Sequence, residues 1–171
     1  MSAYWSVTMI DENDPAPDFH LPGTDGKVVA EYRLRDALED SIAVLAFYVF
    51  DFHPLCTEEL CTIRDAGWFD LAPNVRVFGI GTDRVFSHRA FAGDYDLDFV
   101  LLSDSDGEVA EAYDVLYDEF NGHRRVAKRA VFVVDRSRTV QYAWATDDPQ
   151  IQPDWQTVKT AVDAVRPPTN P

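Results

Sequence analysis

Nine consecutive apolar residues, Ile42-Ala43-Val44-Leu45-Ala46-Phe47-Tyr48-Val49-Phe50, constrain this chain more than any other feature. A strand with one wet face alternates apolar and polar side chains. A run with no polar face belongs to a strand covered on both sides. It is far too short to span a bilayer. The run leads into the proline-containing loop Asp51-Phe52-His53-Pro54-Leu55, and then into a helix expected from Cys56 or Thr57 to about Phe69.

Val75 to Gly81 is a second buried strand, followed by an expected helix from about Phe86 to Tyr95. Phe99 to Leu102 reads as a short strand, and Glu108 to Tyr113 as a helical turn or two. Upstream, Asp18 to Leu21 and Lys27 to Val29 flank Pro22-Gly23-Thr24-Asp25-Gly26, the pattern of a β-hairpin. Arg33 to Glu39 has the length of a short helix. Ala130 to Val134 and Thr139 to Trp144 pair across a charged turn as an antiparallel hairpin, and a last helix runs from Trp155 to Val165. This order predicts one α/β domain over residues 1–171, with a mixed central β-sheet flanked by helices and an N-terminal β-hairpin. Residues 1–14, a polar leader, and the tail 166–171 are expected to be flexible.

Charge narrows the partners. The chain has 30 acidic and 15 basic residues, a formal net charge of −15. Such a surface repels nucleic acid and anionic membrane, so neither is an expected partner. The same excess suits concentrated salt, where screening removes self-repulsion, and a halophilic setting is the expectation. Two cysteines are too few for a secreted disulfide scaffold. The first residues carry no basic start and no apolar run of signal-peptide length, so a cytoplasmic location is expected.

Cys56 lies where loop becomes helix, with Glu58 and Glu59 expected as dipole-matching surface residues of the first turn. A thiol there meets unpaired backbone N–H groups and the positive end of the helix dipole, and both favour thiolate over thiol. Thiolate is the form that attacks a disulfide or a peroxide oxygen. Cys61 follows five positions later. In an intact helix the two Cα atoms stand about 8.6 Å apart, whereas a disulfide needs about 7 Å or less. Joining them requires unwinding the first turn. On the residues alone, Cys61 is either a second redox thiol or a small side chain on the helix's apolar face.

Ala16-Pro17-Asp18-Phe19, Ala46-Phe47-Tyr48, the run from Pro54 to Asp65 and Leu101 to Gly107 together resemble the peroxiredoxins. The likeness is to the alkyl hydroperoxide reductase/thiol-specific antioxidant family, and within it to the bacterioferritin-comigratory-like branch. It extends in consistent order from about Pro15 to Trp144. The resemblance implies a thioredoxin-like fold and thiol-dependent reduction of hydrogen peroxide or alkyl hydroperoxides. It makes Cys56 the peroxidatic cysteine, which becomes a sulfenic acid. It places Cys61 as the resolving cysteine of a Cys56–Cys61 disulfide reopened by a thioredoxin-like reductant. Arg129 matches the arginine that holds thiolate and peroxide, and Glu59 coincides with a family Glu near the cysteine. No cofactor is implied. Family members occur as monomers and dimers, and a homodimer is the expectation.

The family signature Pro-x-x-x-Thr/Ser-x-x-Cys is altered here to Val49, His53 and Cys56. Val49 supplies bulk without the ring's backbone restraint. His53 can donate a hydrogen bond and, if protonated, would favour the thiolate further. This departure leaves an alternative, a redox sensor or thiol–disulfide oxidoreductase with weak peroxidase activity. Other signals are thinner. His53, Cys56 and Cys61 lack a fourth ligand for a zinc site, and Gly79-Ile80-Gly81-Thr82 lacks dinucleotide-loop spacing. His20, His88 and His123 read as surface or packing residues. Trp5, Trp68, Trp144 and Trp155 read as core or interface aromatics.

Overall fold

The computed structural model describes residues 10–66 and 74–166. Trp5, Trp68, the expected helical continuation to Phe69 and the tail beyond Arg166 lie outside the described residues. Seven strands form one mixed sheet in the order β2-β1-β5-β4-β3-β8-β9, and β6 and β7 make a separate two-stranded ribbon. The strands are β1 (His20–Thr24), β2 (Val29–Arg33), β3 (Ile42–Phe47), β4 (Val75–Gly81) and β5 (Val100–Ser103). They continue with β6 (Leu116–Phe120), β7 (His123–Ala127), β8 (Ala130–Val134) and β9 (Val140–Ala145). The helices are α1 (Leu34–Ala37), α2 (Pro54–Asp65), α3 (Val85–Asp94), α4 (Glu108–Ala112) and α5 (Trp155–Val165).

β3 sits inside the sheet, parallel to β4 and antiparallel to β8, and all six of its residues are buried. Its side chains alternate between two cores, as the two-residue strand period requires. Ile42, Val44 and Ala46 join Leu60, Phe91 and Val158 on the face covered by α2, α3 and α5. Ala43, Leu45 and Phe47 join Leu34, Phe78 and Tyr113 on the opposite face. A sheet with helices on both faces, expected from the apolar runs, is what forms.

Three elements differ from the sequence expectation. The N-terminal hairpin forms, but Pro22 and Gly23 lie within β1 rather than in the turn. Gly23 passes so close to β5 that a Cβ would meet the Leu101 carbonyl oxygen at 2.9 Å. The turn lies further on, where the Asp25 carboxylate accepts from the Lys27 and Val28 amides, each at 2.9 Å. Those bonds hold the Asp25 carboxyl below its usual pKa. Second, the β6–β7 ribbon was not anticipated. Asn121 and Gly122 turn it with φ of 50° and 84°, both left-handed as a two-residue type I′ hairpin demands. Third, α2 starts at Pro54, two or three residues earlier than the expected Cys56 or Thr57. Proline suits the first helical position because its missing N–H has no intrahelical partner there. At the other end, Asn13 and Asp14 exchange backbone hydrogen bonds with Val140.

Candidate active site

The site is built where β3 runs out and α2 begins. His53 is the N-cap in an extended conformation, φ −63° and ψ 130°, and its side chain does not cap the helix. Its carbonyl instead accepts from the Thr57 amide at 2.8 Å and the Thr57 hydroxyl at 3.0 Å. Pro54 therefore occupies N1 and Cys56 N3. The Leu55 and Cys56 N–H groups are left at the start of the helix with no intrahelical acceptor. The first turn holds no acidic side chain, which moves Glu58 and Glu59 to the second turn.

Cys56 has no exposed surface and packs with Tyr48, Val49 and Leu60 in the core against β3. Val49 is likewise fully buried. Arg129, just before β8, is also wholly buried and reaches this pocket from the sheet side. Its Nη2 donates to the Cys56 sulfur at 3.6 Å, and its Nε donates to the Pro149 carbonyl at 3.1 Å. Its Nη1 forms an ion pair with the Glu59 carboxylate. A surface role expected for Glu59 is thus corrected: the carboxylate is fully buried, while Glu58 faces solvent. The reason is charge, since a buried guanidinium requires a buried partner.

His53 stands beside this group half-buried, with its Nδ1 enclosed and without a hydrogen-bond partner among the described residues. Loss of solvent, and secondarily the Arg129 charge, lowers its pKa below the ordinary 6.5. The ring is therefore a neutral imidazole at neutral pH, with one donor and one acceptor nitrogen, so that like a hydroxyl it can both give and accept a hydrogen bond. Between the lowered folded value and about 6.5, the unfolded chain binds more protons at this site than the native chain. His53 therefore makes native stability rise with pH across that window and adds no slope above it. Melts of the protein and its His53→Ala variant should differ in slope only below about pH 6.5. Parallel slopes there would contradict a desolvated ring.

Cys61 is half-buried against the same core, and both cysteines are free thiols. Both lie within the unbroken α2, so the reduced state is the state before any disulfide. The β6–β7 ribbon contributes the rim: Phe120 and His123 pack on Phe50, at centroid separations of 6.0 and 5.1 Å. Sequence reasoning passed over Phe120, for which the Asn121-Gly122 turn was the available signal, whereas His123, expected as a surface or packing residue, is exposed and packs on Phe50. It also missed a buried polar cluster of Tyr48, Asp51 and His88 behind the loop. His88 was anticipated as a surface or packing residue and is fully buried. Among the described residues, no group of three or more His, Cys, Asp or Glu side chains is arranged to hold a metal ion.

A mixed sheet with helices on both faces, and a cysteine at a helix start opposing a buried arginine, define a thiol-chemistry protein of thioredoxin-like fold. The AhpC/TSA family model matches residues 13–143, and the chain belongs to that family. It is 31% identical to peroxiredoxin Bcp of Bacillus subtilis over 137 residues, which is 79% of this chain and 85% of that protein. It is 32% identical to the chloroplastic peroxiredoxin Q of Triticum aestivum, covering 85% of this chain but only 62% of that longer protein. The crystal structure of peroxidoxin BcpB from Mycobacterium tuberculosis superposes with a TM-score of 0.78 at 31% identity, covering 92% of this chain and 99% of that one. The family and the thioredoxin-like fold expected from the motifs are confirmed. Among the described residues, no helix is long and apolar enough to cross a membrane.

Proposed function

We infer that this protein is a thiol-dependent peroxidase in which Cys56 is the reacting thiol. Cys56 thiolate attacks one peroxide oxygen, the O–O bond breaks, and the leaving oxygen takes a proton to depart as water or alcohol. The sulfur is left as sulfenic acid. The Cys61 thiol then displaces that hydroxyl as water, forming the Cys56–Cys61 disulfide. A thioredoxin-type reductant donates two electrons and two protons to restore both thiols. The observation that carries this reading is Arg129, a fully buried cation with one N–H on the Cys56 sulfur and its other contacts fixed by Glu59 and Pro149. A cation already immobilised need not reorganise as charge moves from sulfur to oxygen. His53, in the place of the family hydroxyl, supplies a neutral donor–acceptor for the peroxide. Val49 and Pro54 supply bulk and a rigid helix start.

Complete burial of Cys56 favours a small peroxide over a protein-borne disulfide as the first oxidant. It thereby weighs against the oxidoreductase alternative. Stopped-flow mixing of the reduced protein with hydrogen peroxide tests the reading. Oxidation of Cys56 no faster than that of a free thiol would end it. The same reading includes a cytoplasmic setting, a homodimer and adaptation to concentrated salt, the last supported by the net charge of −15. The melting temperature should rise from low to multimolar salt as self-repulsion is screened; a flat response would remove the halophilic element.

A further inference from the structure

Behind the loop that starts α2 lies a polar cluster which no step of the proposed cycle uses. The Asp51 carboxylate accepts from the Tyr48 hydroxyl at 2.6 Å and the Ser87 hydroxyl at 2.8 Å. Its two oxygens stand 2.9 and 2.8 Å from His88 Nδ1. The Asp51 amide donates to the Asp83 carboxylate at 2.7 Å, and Asp83 is held in turn by the Ser103 hydroxyl on its carbonyl. The Asp51 and His88 side chains are 2% and 0% exposed, so water neither competes with these bonds nor screens them.

The protons in this cluster can be counted. His88 Nε2 lies 3.1 Å from the Leu102 carbonyl oxygen, which can only accept, so Nε2 carries a proton. A bare Nδ1 would then meet an ionised carboxylate lone pair to lone pair. The Tyr48 hydroxyl also stands 3.1 Å from Nδ1, but with its one proton given to Asp51 Oδ1 at the shorter 2.6 Å its oxygen can only accept there. A second proton therefore lies between Nδ1 and Asp51, and the pair is neutral overall. A neutral, fully bonded pair is one of the few ways to bury these groups without a large desolvation cost. Burial and Asp51 together keep Tyr48 protonated.

What the cluster anchors is specific. It ties the β3–α2 loop to α3, through Ser87 and His88, and to β5, through the Leu102 carbonyl. Immediately downstream, Phe52 has φ of 64°, a left-handed conformation that is strained for a bulky residue and persists only where its surroundings over-determine it. Phe52 is held between Asp51 on one side and Pro54 on the other. Its exposed ring leans on Phe91 at a centroid distance of 5.0 Å.

We propose that Asp51 and His88 are positioning residues for Cys56: their buried pair pins the loop that starts α2, keeps the reduced thiol in its pocket, and confines opening to residues 52–57. The inference rests on Cys56 being the reacting thiol, but its test requires no peroxide. In a Cys61→Ser background, the single remaining thiol is fully buried, so a bulky maleimide reaches it only when the helix start opens. Asp51→Ala should raise the alkylation rate about tenfold or more, through local rather than global opening. Amide exchange should accelerate over residues 50–60 and stay at the parent level over 42–47. Asp51→Asn should show a smaller rise, because its amide oxygen still accepts from Tyr48 and its NH₂ donates to Nδ1 of a singly protonated His88. If Asp51→Ala does not fold, His88→Gln and Asp51→Asn carry the same comparison. Alkylation within about twofold of the parent, or exchange raised equally in both segments, would overturn the proposal. Slow peroxide oxidation with the expected alkylation pattern would instead count against the peroxidase reading alone.

Discussion

Arg129→Met should slow the reaction of Cys56 with hydrogen peroxide by about 10²–10³-fold, the loss typical of removing one preorganised donor from a developing oxyanion. It should also cost about 3–5 kcal/mol of stability, because Glu59 is left buried without its cation. The two effects separate in a double variant. Adding Glu59→Gln removes the stranded charge and should recover much of the stability while leaving the slow peroxide reaction in place. Stopped-flow rates and urea melts on the two variants decide the matter. Recovery of the rate along with the stability would mean that Arg129 acts only as scaffold.

Cys61→Ser should abolish catalytic turnover with a thioredoxin-type reductant while Cys56 still reacts with peroxide. After one equivalent of peroxide, mass spectrometry should show one added oxygen on the variant, against the loss of two hydrogens in the parent. Excess peroxide should carry the variant onward to the sulfinic acid, since the sulfenic acid has no thiol to condense with. The geometry explains why the outcome is so exposed to one residue. Both sulfurs belong to α2, and an intact helix keeps Cα atoms five positions apart about 8.6 Å from each other. Disulfide formation must wait for the first turn to open, and a second peroxide competes during that interval. A two-hydrogen loss that persists in Cys61→Ser would contradict the resolving role.

The sheet was legible because its central strands are apolar on both faces, as in Ile42 to Phe47 and Val77 to Gly81, and few other structures accommodate such runs. The β6–β7 ribbon was not, because Asp118, Glu119, Arg124 and Arg125 fill exposed positions where a hairpin pattern would be sought in apolar residues. Pro22-Gly23 reads locally as a turn; only the approach of β5 makes it strand. Cys56 could be found from its place between a buried strand and a helix. The burial of Arg129 could not, since it depends on Glu59, 70 residues away in sequence, and a lone arginine at a strand start is ordinarily solvated. His88 escaped for the same reason: its partners Asp51 and Leu102 come from other elements, and no local spacing unites them.

The Arg129–Glu59 pair also has a bearing on timing. With Cys56 as thiolate, one guanidinium faces two anions, and the enclosed group carries a net negative charge that only the helix start offsets. Peroxide converts the sulfur to a neutral sulfenic acid, while Glu59 keeps its cation. The oxidised pocket is thus electrically complete without the sulfur. In the proposed cycle, the event that makes Cys56 an electrophile also cancels the attraction that moored it, so the chain is unlatched only once there is a bond to form with Cys61.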